Sequence, residues 1–180
     1  MSIRMKDVKV LRKISLITIF SKSIYSPKEI AKYRFLTIGK SIQYVFILGL
    51  FLSLAGFYDA IFQQDFTAGY GHTASDTGTK VLFAALVVLM AFILNSGLAF
   101  LSITILAVIG EPIAKALGRK LPYRQSWRLT ACSTTLPVVL FSLLNLFHFD
   151  QPYFILLALI MAVVIIIVSI KAIPKPRKKS

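Results

Sequence analysis

Residues 81–110 read VLFAALVVLMAFILNSGLAFLSITILAVIG, and this apolar stretch decides what kind of protein the chain is. The hydrocarbon core of a bilayer is about 30 Å thick, so a spanning helix needs about 20 apolar residues. About thirty helical residues would reach about 45 Å. A break at Asn95–Gly97 would leave two halves that are each too short to span. The stretch therefore predicts one long helix, tilted or kinked in the membrane, that extends into the cytoplasm.

Three further apolar segments are long enough to cross a bilayer: 41–62, 128–147 and 153–173. Hydrophobic residues make up 57% of the 180-residue chain, and its mean hydropathy is +0.76. A soluble domain is only about 45–50% apolar. The apolar runs are continuous rather than alternating, which favours helices over a transmembrane barrel. The sequence predicts an all-α integral membrane protein with four transmembrane helices and an N-terminal amphipathic interfacial helix.

The net charge of +14 is distributed unevenly along the chain. Ten Lys or Arg residues lie in segment 1–40, five lie in 111–128, and five follow from Lys171 onward, so Lys80 stands alone. Positive residues concentrate in the cytoplasmic segments of membrane proteins. The distribution therefore predicts that both termini are cytoplasmic, and it indicates topology rather than nucleic-acid binding.

This topology divides the chain into spans and connections. A cleaved signal peptide is not favoured, because ISLITIF (14–20) is short and no small-residue cleavage site follows it.

The predicted order is a basic cytoplasmic and interfacial segment (1–40), first span (41–62), outer loop (63–80), second span (81–110), cytoplasmic loop (111–127), third span (128–147), outer turn (148–152), fourth span (153–173) and basic cytoplasmic tail (174–180).

A helix start lies just ahead of the first span. Ser26, Pro27 and Glu29 fit the N-cap, first and third positions of a helix, which is the spacing of a capping box. From Pro27 to residue 40, lysines lie on one face and apolar residues such as Ile30 on the other. A helix of this kind lies in the membrane interface. It either leads into the first span or provides a contact surface for lipid or a partner.

The sequence contains no signature of catalysis. It lacks a phosphate-binding P-loop, an H-E-x-x-H zinc motif and a G-x-S-x-G nucleophile turn. His72 and His148 lie in different outer loops without a second ligand at metal spacing. Cys132 is the only cysteine, so no intramolecular disulfide can form. We expect a protein that is not an enzyme and has no cofactor, metal or catalytic residue.

Two groups of residues are candidate sites. Basic and aromatic side chains at the predicted cytoplasmic boundary could contact anionic lipid or a partner; they are Lys28, Lys32, Tyr33, Arg34, Arg124, Trp127 and Arg128. Polar side chains inside the spans could form a seam between helices or line a polar cavity; they are Asn95, Ser96, Thr130, Thr134, Pro137 and Asn145. Interhelical hydrogen bonds are the commoner use of such residues. Pro137 should also kink the third span.

Three stretches carry a resemblance to a known family: SIYSPKEIAKYRFLTIGKSIQYVF (23–46), YRQSWRLTACSTTLP (123–137) and KAIPKPRKK (171–179). They resemble uncharacterised polytopic membrane proteins, mainly of Gram-positive bacteria, that form a domain family of unknown function. Some members are named maltodextrin utilisation proteins, and the family is distantly similar to the Yip membrane-trafficking group. The resemblance implies a plasma-membrane location and supplies no catalytic residues.

Two functional hypotheses remain open. The first is a non-enzymatic accessory or scaffold subunit that acts through its basic cytoplasmic face on anionic lipid, another membrane protein or a cytoplasmic protein. The second is a small transporter or transporter subunit, with maltodextrin uptake as one candidate role, and with a polar pathway through Asn95 and segment 130–137.

Overall fold

The computed structural model describes residues 14–54, 57, 77–147 and 152–174. The predicted outer loop, the outer turn, the end of the first span and both terminal tails fall largely or wholly outside these residues. The described part is entirely helical. In chain order its helices are α1 (Leu16–Tyr25), α2 (Pro27–Tyr33), α3 (Ile38–Leu52), α4 (Thr77–Ala116), α5 (Tyr123–Ser133), α6 (Thr135–Leu146) and α7 (Pro152–Lys171).

Three stretches are long and apolar enough to cross a membrane: Val81–Ala116, Tyr123–Leu144 and Tyr153–Lys171. They correspond to the second, third and fourth predicted spans. Helix α3 contains the beginning of the predicted first span, but its described part has only 15 residues. The remainder of that span falls mostly on residues that the structure does not describe.

Helix α4 is a single helix of 40 residues, about 60 Å long. It passes through Asn95–Gly97 without a break, as predicted. It also continues beyond the predicted end of the second span, through Pro112 to Ala116, so the predicted loop 111–127 is partly helical. Gly118 then ends it with a φ of 65°, and Arg119 N–H bonds to Ala114 O at 2.8 Å. This is the closure that a glycine after a helix provides.

The third predicted span starts earlier than expected and is broken. Helix α5 begins at Tyr123, so Trp127 and Arg128 lie inside the helix rather than at its start. The α5–α6 break falls at Thr134, three residues before Pro137. Proline has no N–H to bond the carbonyl of Ser133, so the helical ladder is interrupted there. The structure thus breaks the third predicted span just before Pro137, where the sequence predicts a kink.

The lead-in to the first span differs from the prediction. Helix α2 begins at Pro27 with Ser26 as N-cap, but Ser26 makes no side-chain capping bond. Glu29 pairs instead with Lys32, at 2.5 Å. The helix ends at Tyr33, and α3 begins separately at Ile38 after an N-cap at Thr37. The segment is therefore two helices joined by a turn rather than one interfacial helix to residue 40.

The apolar face of α2 is covered by protein. The main core joins it to α1, α3, α5 and α7, and its largest fully buried members are Ile19, Ile30, Tyr33, Leu36, Tyr44, Leu48, Leu129 and Ile170. A second small core lies between α3, α4 and α5, formed by Val45, Ala99, Ile103 and Ala131. The predicted interfacial helix would turn this apolar face towards lipid, but α5 and α7 pack against it instead.

Candidate functional site

The basic segments meet at one end of the helices, which we call the basic end. Helix α2 packs against α5 and α7 there. Arg119, in the α4–α5 connection, donates hydrogen bonds to the backbone carbonyls of Ile173 and Lys171 at the end of α7. Lys40 Nζ donates to Ile14 O at 2.7 Å. Among the described residues, every Lys and Arg except Lys80 belongs to these segments.

The predicted contact residues divide into two groups at the basic end. Lys28, Lys32 and Arg124 are exposed. Tyr33 is fully buried and belongs to the core, and Arg34 is only 8% exposed. The first group can therefore meet an external partner directly, whereas Tyr33 supports the helix that carries them.

Trp127 and Arg128 are half-buried. The indole of Trp127 stacks on Phe100 of α4 with ring centroids 6.1 Å apart, and its Nε1 donates to Thr104 Oγ1 at 3.3 Å. This aromatic residue, which the sequence suggests for an interface, mainly joins α5 to α4. Arg128 Nη1 lies 3.5 Å from Arg34 O, and this weak bond links α5 to the turn after α2.

Negative charge is scarce at this end. The described residues contain two ion pairs, Lys32 with Glu29 at 2.5 Å and Lys115 with Glu111 at 3.0 Å. Both join residues within one helix and lie near the surface, so each adds little stability. They engage the two carboxylates that the structure describes, and the arginines have no carboxylate partner within the described ranges.

A cavity of about 580 Å³ lies between α4, α6 and α7, with α3 along one wall. Asn95, Thr134 and Pro137 line it together, so the structure brings together three of the predicted seam residues. Ser102 adds one further polar group. The rest of the lining is apolar and comes from Leu, Ile, Val, Ala and Phe side chains. Such a space suits a hydrocarbon group far better than a sugar, whose hydroxyls would lose hydrogen bonds to water.

The other predicted seam residues do not form one network. Asn95 Nδ2 donates to Ser53 Oγ at 3.2 Å, and Thr134 Oγ1 donates to Ala131 O at 3.1 Å. Ser96 and Thr130 are buried, and their hydroxyl oxygens have no hydrogen-bond partner. Asn145 lies in α6, and its side chain is outside the described part. The seam is therefore a set of separate helix contacts around a mostly apolar cavity.

The sequence does not predict the shortest bond between side chains of different described helices. Tyr44 OH and Thr135 Oγ1 are 2.5 Å apart in the core. Thr135 Oγ1 also donates to Cys132 O at 2.7 Å, which uses its one proton, so Tyr44 donates to Thr135. The two residues are 91 positions apart, and nothing in the local pattern around either one points to the other.

Metal chemistry finds no support within the described ranges. No group of three His, Cys, Asp or Glu side chains comes together there. His72 and His148 fall outside these ranges. Cys132 is fully buried in the core, where it serves as a small apolar residue.

Residues 63–170 match a protein family described as Protein of unknown function (DUF1189). The chain belongs to this family. The match covers the predicted outer loop and nearly all of α4 to α7, and it leaves out α1 to α3 with their basic lead-in. No curated protein and no solved structure matches the chain.

Proposed function

We propose that this protein is a non-enzymatic accessory or scaffold subunit in a membrane, acting through its basic end. The observation that carries the proposal is the convergence of segments distant in sequence, α2, the α4–α5 connection and the end of α7, on one cationic surface. Lys28, Lys120 and Arg124 are exposed on it without a carboxylate partner in the described ranges. The matching ligands are anionic lipid headgroups and acidic protein segments.

The proposed topology has four spans, with the basic end and both termini in the bacterial cytoplasm. Three span-like helices and the grouping of cations support it. Cysteines introduced at Lys28, Lys120 and His72 would test it in intact cells with a membrane-impermeant maleimide. We expect labelling at position 72 alone until the membrane is opened. The native Cys132 should not react with the maleimide, because it is fully buried. Labelling at 28 or 120 in sealed cells would reverse the orientation.

Charge reversal tests the scaffold role. The variant Lys28→Glu with Arg124→Glu changes two exposed side chains without removing a core contact. Lys80→Glu with Thr79→Glu, at the other end of α4, is the control for membrane insertion and added negative charge. We expect the first variant to lose a protein that co-purifies from native membranes, and the control to retain it. The wild-type complex should also weaken with rising salt.

A partner held equally by both variants would contradict the role of the basic end. So would a wild-type protein that is recovered alone from membranes in mild detergent.

The cavity favours one alternative, a transporter or transporter subunit. Asn95 is its most polar lining residue, so Asn95→Leu should abolish uptake at an unchanged protein level if the cavity is a pathway. Leu94→Val, on the adjacent outward face, is the control. The maltodextrin hypothesis is tested with labelled maltotriose, and the apolar lining favours a hydrophobic solute over a sugar. Unchanged uptake in Asn95→Leu would count against transport through this cavity.

A further inference from the structure

Arg34 is an unusual residue for its position. It is only 8% exposed, yet its side chain donates no hydrogen bond to any described residue, and its Nε is buried without a partner. Its guanidinium carbon lies 4.6 Å from the centre of the Phe35 ring. Burial lowers the pKa of Arg34. A guanidinium has five donors and stays charged in proteins, so burial without a counter-charge is unfavourable.

Arg128 reaches the backbone of Arg34, and Arg124 lies next to Arg128. Arg124 and Arg128 are four residues apart on α5, so they share one face and repel each other. Arg128 reaches the backbone oxygen of Arg34, and its Nε is also buried without a partner. Arg124 is exposed. The two described carboxylates are engaged with Lys32 and Lys115.

The start of α3 adds positive potential to the same region. Thr37 is its N-cap but makes no side-chain capping bond, and the first turn of the helix contains no acidic residue. The free N–H groups of a helix start carry a partial positive charge, equivalent to about half a charge. They follow Arg34 by only four residues.

An exposed apolar stripe leads away from this point along α3. Ile38, Ile42 and Phe46 recur every four residues and are 52%, 38% and 45% exposed. A water-soluble anion would gain no binding energy from such a stripe, whereas the acyl chain of a lipid would pack against it. The stripe distinguishes a lipid from free phosphate as the source of the anion.

We propose that Arg34, Arg124 and Arg128 form a site for the phosphate group of an anionic phospholipid, with an acyl chain along the Ile38–Ile42–Phe46 stripe. The lipid phosphate supplies the counter-charge that no described carboxylate gives these arginines, through charge-assisted hydrogen bonds. The site rests on the proposed function in one respect, namely that the basic end lies at a membrane surface.

Lipid binding to full-length protein in neutral detergent would test the site. Phosphatidylglycerol is titrated while bound lipid is counted by native mass spectrometry, with phosphatidylcholine as the zwitterionic comparison. We expect Arg124→Gln with Arg128→Gln to weaken phosphatidylglycerol binding about tenfold. Lys22→Gln with Lys80→Gln removes the same charge from α1 and from the far end of α4, outside both the arginine site and the proposed contact surface, and should change binding less than twofold.

Further variants keep the outcome interpretable. Arg34→Lys, and Arg124→Lys with Arg128→Lys, retain charge but lose the planar fork, so intermediate affinity is expected. Folding of each variant is checked by Cys132, which should resist maleimide until denaturant is added. Ile42→Ser should weaken lipid binding and leave any effect of inorganic phosphate unchanged.

Three results would overturn the proposal. Equal losses of phosphatidylglycerol binding in the arginine and lysine variants would mean that the lipid is attracted to positive charge in general, not to this site. Equal binding of both lipids, which share a phosphate group, would show that the site does not select an anionic lipid. Full competition by inorganic phosphate, with no effect of Ile42→Ser, would make the ligand a free anion. Partner recovery is measured separately on the same variants. If no partner is recovered but lipid selectivity is intact, the scaffold role falls and the lipid site stands. If the partner is recovered but lipid selectivity is absent, only the lipid site falls.

Discussion

Gly49 of α3 lies so close to Ser96 of α4 that a methyl group added at Gly49 would come within 2.9 Å of the Ser96 Cα. The two backbones meet there because one residue has no side chain and the other has a small one, a common device where membrane helices cross. Ser53 lies one turn further along α3 and accepts a hydrogen bond from Asn95. This crossing fixes α3 against α4, the longest of the described helices.

Gly49→Ala should therefore destabilise the protein. The added methyl group meets backbone rather than the end of a flexible side chain, so the helices must separate, at about 1–3 kcal/mol for overpacking of this kind. Thermal unfolding of the detergent-solubilised protein measures the effect. Gly97→Ala is the matched control, because a methyl group there has no atom within 4 Å. Equal Tm values for the two variants would show that the crossing is looser than the structure has it.

Tyr44→Phe should cost about 1 kcal/mol by removing the hydrogen bond to Thr135 Oγ1. Tyr33→Phe provides the comparison, since Tyr33 OH is equally buried but has no partner. Losing an unpaired buried hydroxyl should leave stability at neutral pH unchanged or slightly raised. Unfolding midpoints of the two variants, measured in the same detergent, would show which hydroxyl stabilises the protein. A larger loss from Tyr33→Phe would mean that its hydroxyl is bonded after all.

Local sequence signals predict where several of these helices begin and break. The start of α2 at Pro27 and the break before Pro137 follow from the backbone chemistry of proline, which acts within a few residues. Asn95, Thr134 and Pro137 do line one cavity, which was one of two alternatives for these residues, but its lining is mostly apolar rather than polar.

The sequence could not distinguish protein from lipid as the cover of an apolar face. Ile30 and Tyr33 give the same helical pattern in both cases, and α5 and α7, which bury them, lie far along the chain. The burial of Arg34 was missed for the same reason. An arginine next to a predicted span normally extends towards headgroups, and only the docking of α5 against the turn after α2 shows that it is enclosed.

Arg119→Gln should loosen the end of α7. Arg119 donates to the carbonyls of Lys171 and Ile173, which the helix itself leaves unbonded at its last turn. Loss of bonds from a charged donor is worth about 1.5–3 kcal/mol. Amide hydrogen exchange at Ala172 and Ile173 should quicken by at least about tenfold. Lys120→Gln, an exposed neighbour, should leave exchange there at the wild-type rate; equal exchange in both variants would exclude Arg119 as the tether.

Stability should fall in alkaline solution partly through Tyr33. Burial raises the pKa of Tyr33 to about 12, whereas an unfolded tyrosine titrates near pH 10. The unfolded state therefore loses this proton first, so the contribution of Tyr33 is complete below about pH 10 and is lost as the pH rises to about 12. The Tm of Tyr33→Phe should fall less than that of the wild type across this range. Tyr25→Phe, at a residue that is 83% exposed, should keep the wild-type slope, and parallel slopes in all three proteins would show that Tyr33 does not contribute.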